Sequence, residues 1–266
     1  MDFTQISFLW FVVLLAAAYR ICPARFRVAL LVAASYAFYC TWSGTMALLL
    51  AGATAATFVA ARFIESAGGD GRKRGVMLAA VAGLVALLTL FKSAAFLRGI
   101  LHHNLLMPLG ISYYTFKLIS YVVDVYWGKI SAEKDLLAFA AYVAFFPQIV
   151  AGPIQRSLSF LPQLHKRQPA GLDTAMLGLQ RIVLGFFKKL VVADNLALLV
   201  NFVYGNMHAA GTPVLVGYYV YPFQLYADFS GLTDIAIGAA LLLGIESPEN
   251  FNAAFAAPNP TEFWRR

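Results

Sequence analysis

Tyr221-Pro222-Phe223-Gln224-Leu225-Tyr226-Ala227-Asp228-Phe229-Ser230-Gly231-Leu232-Thr233-Asp234 sets two carboxylates, an amide and several hydroxyls between apolar runs. An ionisable side chain inside a membrane span costs at least ~2.5–3.5 kcal/mol on insertion scales, so it faces a cavity or a partner. Gln224, Asp228, Ser230 and Asp234 are therefore candidates for a substrate path. A second role stays open: Asp228 or Ser230 can cap a helix beginning near Gly231, with Asp234 in its first turn, where the helix dipole favours an anion. In a second segment, Pro108 to Asp124, helical spacing puts Lys117 four residues from both Tyr113 and Tyr121 and predicts a polar seam. Lys117 serves either a substrate path or an interhelical pair with a carboxylate such as Asp124 or Asp228. A third segment, Phe145 to Arg156, holds Gln148 and places Pro147 and Pro153 around Gly152, which predicts a sharp bend. Arg156 beyond it can grip a phosphate or carboxylate with two prongs, or be an ordinary loop arginine.

The elements that must position these groups follow from composition. The chain has 266 residues, 61% hydrophobic and 12% charged, against roughly 45–50% and about 25% in soluble domains. The apolar runs approach the ~17–25 residues that a spanning helix needs. The expected fold is all-α: a polytopic integral membrane protein with about 8–10 transmembrane or interfacial helices, in one membrane domain over residues 1–266. Spans are predicted near residues 3–19, 28–42, 46–64, 76–91, 108–127, 136–151, 173–204, 213–226 and 232–245. The 173–204 run contains Arg181, Lys188 and Lys189, so part of it can lie along the cytoplasmic surface as an amphipathic helix. The prolines at 108, 147, 153 and 222 predict broken helices around a polar cavity, because lipid cannot satisfy freed backbone groups. Small residues four apart, at Gly52, Ala56 and Ala60 and at Ala236, Ala240 and Gly244, predict two interior helices.

Arg20, Arg25 and Arg27 follow the first run, and Arg62, Arg72, Lys73 and Arg74 follow the third. Those loops are predicted to be cytoplasmic, with the N-terminus outside. The net charge of +7 is confined to short loops, which argues for anionic membrane lipids as partners and against nucleic acid. Cys22 and Cys40 form no CxxC, and the four histidines form no cluster with them, so no metal site is expected. His102, His103, His165 and His208 read as solvated loop residues.

The order of the segments carries a resemblance. "PLGISYYTFKLISYVVDVYWG" from Pro108, "FFPQIVAGPIQR" from Phe145, "YPFQLYADFSGLTDIAIGAALLLGI" from Tyr221 and "ENFNAAFAAPNPTEFWRR" from Glu249 resemble the membrane-bound O-acyltransferase family. The bacterial branch that acetylates alginate and related polysaccharides is the most similar, with the D-alanine transfer proteins of teichoic acid modification more distant. The likeness implies transfer of an acyl group, acetyl by the same resemblance, from a cytoplasmic thioester (acetyl-CoA or acyl carrier protein) to hydroxyls of an extracytoplasmic polysaccharide such as alginate. The acceptor is reached directly or through a periplasmic acyl-transfer partner, at the bacterial inner membrane, with no tightly bound cofactor.

Within the resemblance, Pro147, Gln148, Gly152, Pro153 and Arg156 match one motif, and Asp228, Ser230, Gly231 and Asp234 match another. Asn250 falls in the last matching segment, and Glu262, Phe263, Trp264, Arg265 and Arg266 match the lead-in to the family's histidine, the implied general base. That histidine is expected just after Arg266, so the chain reads as an N-terminal part that is inactive alone. Leu232 and Thr233 stand where the branch usually has Tyr and Ser, Lys117 where Gln is common, and Ala254 where Pro is usual. A transporter or channel also fits broken helices with buried charges, and a non-catalytic membrane partner is a further reading.

Overall fold

A computed structural model describes residues 3–96, 107–166, 168–205 and 211–266. Among these residues the regular structure is all helical. The helices are α1 Ile6–Ile21, α2 Ala24–Cys40, α3 Gly44–Ser66, α4 Asp70–Phe96, α5 Ile111–Tyr126, α6 Leu136–Ala144, α7 Phe146–Ala151, α8 Ser157–Lys166 and α9 Leu172–Phe186. A π-helical segment, Phe187–Ala193, joins α9 to α10 (Asp194–Gly205), followed by α11 (Thr212–Leu242), a 3-10 turn at Ala254–Ala256 and α12 (Pro260–Arg265). Helices α3, α4 and α11 are long and apolar enough to cross a membrane, and shorter apolar helices cover Ile6–Ile21 and Leu136–Ala151. The chain is a polytopic all-α membrane protein.

Contacts gather into two compact units. The first comprises residues 18–150 and 154–168; the second comprises 2–17, 151–153 and 169–266.

In the first unit the core is aromatic. Phe139, fully buried, has its ring centroid 4.5 Å from Tyr121, 5.9 Å from Phe58 and 6.1 Å from Tyr142. Phe160 continues the cluster to Tyr142 and Phe145, in the tilted and edge-on arrangements that ring quadrupoles favour. The apolar run at 136–151 breaks between α6 and α7, at Phe145. Pro147 has no N–H for the carbonyl four residues earlier, so one helix stops and the next takes the proline into its first turn, where no N–H is needed.

One sequence expectation fails in this unit. Gly52 and Ala56 of α3 are exposed, and nothing lies within 4 Å of a Cβ placed on Gly52. The small residues of α3 line a groove against α4 instead of packing tightly on a neighbour. Elsewhere small residues do meet at contact distance, but at a different spacing.

In the second unit α9 and α11 run past each other with glycines seven apart on both. A Cβ on Gly238 would sit 2.5 Å from the Gly178 carbonyl oxygen, and one on Gly185 would sit 2.6 Å from that of Gly231. With these pairs the backbones themselves are in contact, which maximises dispersion where lipid supplies no hydrophobic drive. This packing also explains why α11 runs unbroken. Spans at 213–226 and 232–245 are expected from the sequence, yet Thr212–Leu242 is a single helix with Pro222 inside it and Ser230-Gly231 in its middle. The interior placement of Ala236 and Ala240 holds, both being fully buried.

Gly238→Val is expected to destabilise the protein by roughly 2–4 kcal/mol, above the usual overpacking range because backbone must move. Gly83→Val on α4, where nothing lies within 4 Å, should change stability little. Thermal unfolding of both variants in detergent checks the contrast, and equal effects would refute the glycine contact.

Candidate functional site

The first unit holds a closed polar network on α5, α6, α7 and the following bend. Gly110, at φ +65°, starts α5 with its Cα so close to α7 that an added Cβ would lie 2.3 Å from the Ile149 carbonyl oxygen. That approach sets Tyr113 and Lys117, one turn apart, beside Gln148. Lys117 is fully buried. Its Nζ donates to the Tyr142 carbonyl at 2.6 Å and to Gln148 Oε1 at 3.2 Å, and it lies 4.2 Å from the Tyr142 ring centroid and 5.3 Å from those of Tyr113 and Phe160. Tyr113 Oη donates to the same Gln148 oxygen at 3.2 Å. With Oε1 taking two donors, Gln148 must present its amide nitrogen to Gln155 Oε1, 2.7 Å away. The lysine therefore fixes the orientation of an amide relay that ends one residue before Arg156.

The expected polar seam on α5 is present, but not the expected partner of Lys117. Asp124 pairs with Lys129 at 3.7 Å, and Asp228 pairs with Lys189 at 2.8 Å. Carbonyl and amide oxygens with three aromatic rings hold the ammonium instead, the combination that a desolvated cation requires when no carboxylate is in reach. These side chains are packed among their neighbours. Gln148 is fully buried and Gln155 nearly so, because ring packing and amide bonds fill the space. Arg156 is exposed at the start of α8.

The second unit holds an ion-pair ladder along the glycine contact. Asp234, buried on α11, accepts from Arg181 Nε at 2.7 Å and from Lys188 Nζ at 2.6 Å. Arg181 also grips Glu249, with its second nitrogen donating to Glu249 Oε1 at 2.7 Å and the third to Oε2. Lys189 in the π-helical segment lies 2.8 Å from both Asp194 and Asp228. The extra backbone residue of a π turn changes which side chains share a face, and here two successive lysines reach two different carboxylates of α11. Ser230 Oγ is buried between these levels without a hydrogen-bond partner among the described residues. Asp228, Ser230 and Asp234 are thus mid-helix residues, not caps or first-turn residues, because α11 does not restart at Gly231.

The remaining candidates lie apart from this ladder. Gln224 and Asn250 are half-buried. Phe223, Tyr226 and Phe229 of α11 stack on Phe251 and Phe255, holding the segment that follows Glu249. Asn259 caps α12 by accepting from Glu262 N at 2.8 Å, with Pro260 at the first helical position. On α12, Trp264 is 84% exposed and Arg265 pairs with Glu262 at 2.8 Å. Hydrogen bonds from Arg266 first, and then Arg265, hold the Glu262 carboxyl below its ordinary range.

Tyr142, Gln155, Arg181, Lys188, Lys189 and Glu249 belong to the two networks without having been singled out as site residues by their sequence. The available signal was heptad spacing: Gly178, Arg181, Gly185 and Lys188 recur on one face. His165 ends α8 with Nε2 2.9 Å from Glu133, so it is a paired helix-end residue and not a free loop histidine. His102, His103 and His208 lie outside the described residues. Among the described residues no group of three or more His, Cys, Asp or Glu is placed to hold a metal ion.

Fold and networks together define a class: a multi-pass helical membrane protein whose buried charges are organised within packed helices. No protein-family model matches the chain. Curated relatives do. The chain is 36% identical over 263 residues to the protein named "Probable alginate O-acetylase AlgI" of Pseudomonas aeruginosa, covering 93% of this chain and 50% of the relative. It is 31% identical over 276 residues to the "Peptidoglycan O-acetyltransferase" of Helicobacter pylori, covering 89% and 52%. It is 33% identical over 168 residues to the "Teichoic acid D-alanyltransferase" of Bacillus subtilis, covering 62% and 42%. Over most of its length the chain is similar to bacterial alginate O-acetylases, consistent with that branch of the membrane-bound O-acyltransferases. It spans about half the length of the curated relatives it matches.

Proposed function

We propose that the protein carrying this chain is a membrane O-acyltransferase that moves an acetyl group from a cytoplasmic thioester donor to hydroxyls of an extracytoplasmic polysaccharide such as alginate. The observation that carries this reading is the 36% identity to an alginate O-acetylase across 93% of the chain. The donor is acetyl-CoA or an acetyl-loaded carrier protein. The acceptor is reached directly or through a periplasmic partner, at the bacterial inner membrane with the N-terminus outside. In this reading the chain's own residues position substrates. The Lys117, Gln148 and Gln155 relay stiffens the bend before Arg156, and Arg156 offers a planar fork to the phosphate of the donor. The ladder from Asp234 to Lys189 keeps α9 and α11 in register, and Gln224, Ser230, Asn250, Trp264 and Arg265 border the substrate path.

The test is ester formation by the whole protein in vesicles, with alginate as acceptor and each donor supplied in turn. Acetyl ester on the glycan is the expected product. Intact, folded protein that acetylates no polysaccharide with either donor would sink the reading. Arg156→Ala should raise the KM for the donor by roughly tenfold or more with kcat little changed, the loss of one charge-assisted grip. An unchanged KM would remove Arg156 from the donor site.

A further inference from the structure

The groove between α3 and α4 lies within the first unit, away from the polar network, and serves none of the roles above. It has a volume of about 620 Å³. Gly52, Ala56 and Ala60 line one wall and Val76, Ala80 and Gly83 the other, with Leu48 and Leu87 at its far end. The lining is apolar apart from Thr57. Removing side chains at these positions leaves a slot that the two helices do not fill themselves: nothing lies within 4 Å of a Cβ on Gly52 or Gly83. From Val76 to Leu87 a helix rises about 16 Å, and one leaflet of a bilayer is about 15 Å of hydrocarbon. The slot is one leaflet deep.

Charge then says what fills it. On α4 the groove-lining residues 76, 80, 83 and 87 form one helical stripe, and residues three and four before Val76 on the same face are Lys73 and Arg72. Neither makes an ion pair or a side-chain hydrogen bond among the described residues. Arg74 stands beside them, and Arg62 on α3 is held by Glu65 at 3.5 Å. Asp70 opens the helix and offsets part of their charge, but three cations against one carboxylate in the first turns still oppose the dipole, a cost that a bound anion relieves. The same end carries the basic loop predicted to face the cytoplasm, where the leaflet is rich in anionic lipid.

We propose that this groove binds one anionic diacyl phospholipid, with an acyl chain lying along the small residues of α3 and α4 and the headgroup phosphate held by Arg72 and Lys73. An apolar helix from another segment or a second copy would fill the slot equally well, but would leave the cations at its mouth with Asp70 alone as counter-charge. The proposal is independent of the acyl-transfer reading, and neither falls with the other.

The test uses the whole protein reconstituted in phosphatidylcholine nanodiscs doped with phosphatidylglycerol, and reads the lipid retained by native mass spectrometry. Wild type is expected to retain phosphatidylglycerol in preference to phosphatidylcholine. R72Q with K73Q should lower that preference by roughly 25-fold, since each surface cation contributes about fivefold. Gly52→Leu, or Gly83→Leu from the opposite wall, should displace the lipid by filling the slot, with folding and acyl transfer unchanged. Equal retention of both lipids, or undiminished phosphatidylglycerol in both leucine variants, would overturn the proposal.

Discussion

Lys117→Glu is expected to leave the protein unable to reach its folded state in the membrane, with a cost of about 3–5 kcal/mol or more, the scale of an uncompensated buried charge. The reason is geometric. Every polar atom that Lys117 Nζ meets is an acceptor, the Tyr142 carbonyl at 2.6 Å and Gln148 Oε1 at 3.2 Å. The three surrounding rings turn their negative faces to it. A carboxylate there meets two oxygens and three π-faces. Lys117→Gln keeps a donor for one of the two acceptors and should cost only about 1–2 kcal/mol. Lys117→Met keeps the volume but offers no donor to either oxygen, so it should fall between the other two. The order Gln, Met, Glu in detergent unfolding midpoints of the whole protein tests the assignment. Glutamate tolerated as well as glutamine would mean that Lys117 does not point where these contacts place it.

Local grammar carried part of this far from the structure and failed where packing intervened. The i, i+4 spacing of Tyr113 and Lys117 was enough to predict a shared face, because helical geometry is local. It could not name Gln148 as partner, since that residue comes from α7 and its amide presents no more signal than any other glutamine. The same limit explains α11. Pro222, Asp228 and Ser230-Gly231 read as the end of one helix and the cap of another, and in an isolated segment they would favour a break. Gly231 instead serves the contact with Gly185, and an interrupted helix would lose both glycine contacts at once. The run at 173–204 shows the converse. Its lysines and arginine suggest a water-exposed surface, but opposite them on α11 stand Asp228 and Asp234, and charges paired across helices look solvated when only one helix is read. The boundaries of α2, α3 and α4 were legible to within several residues because each is a simple apolar run between basic or glycine-containing links.

Asp234→Asn is the second large expected effect, and it separates a packing role from a surface one. Asp234 has 4% of its surface exposed and accepts from two cations, whereas Glu249, which shares Arg181, has a side chain 53% exposed. Neutralising the buried carboxylate leaves Arg181 and Lys188 facing one another across a neutral amide, and the amide nitrogen brings a donor to where two donors already point. Both cations are 30% exposed, so water screens part of the cost, and about 2–3 kcal/mol is expected instead of the full buried-pair value. Glu249→Gln should cost less than about 1 kcal/mol, because its partner keeps Asp234 and its own oxygens remain in solvent. If Asp234 acts through the register of α9 on α11, Asp234→Asn should also lower acetyl transfer by the whole protein, and Arg181→Met with Lys188→Met in the same chain should recover stability by removing the stranded cations. Wild-type unfolding and turnover in Asp234→Asn would show that the ladder holds nothing together. Lost turnover with unchanged unfolding would instead move Asp234 from the packing of these helices to the substrate path itself.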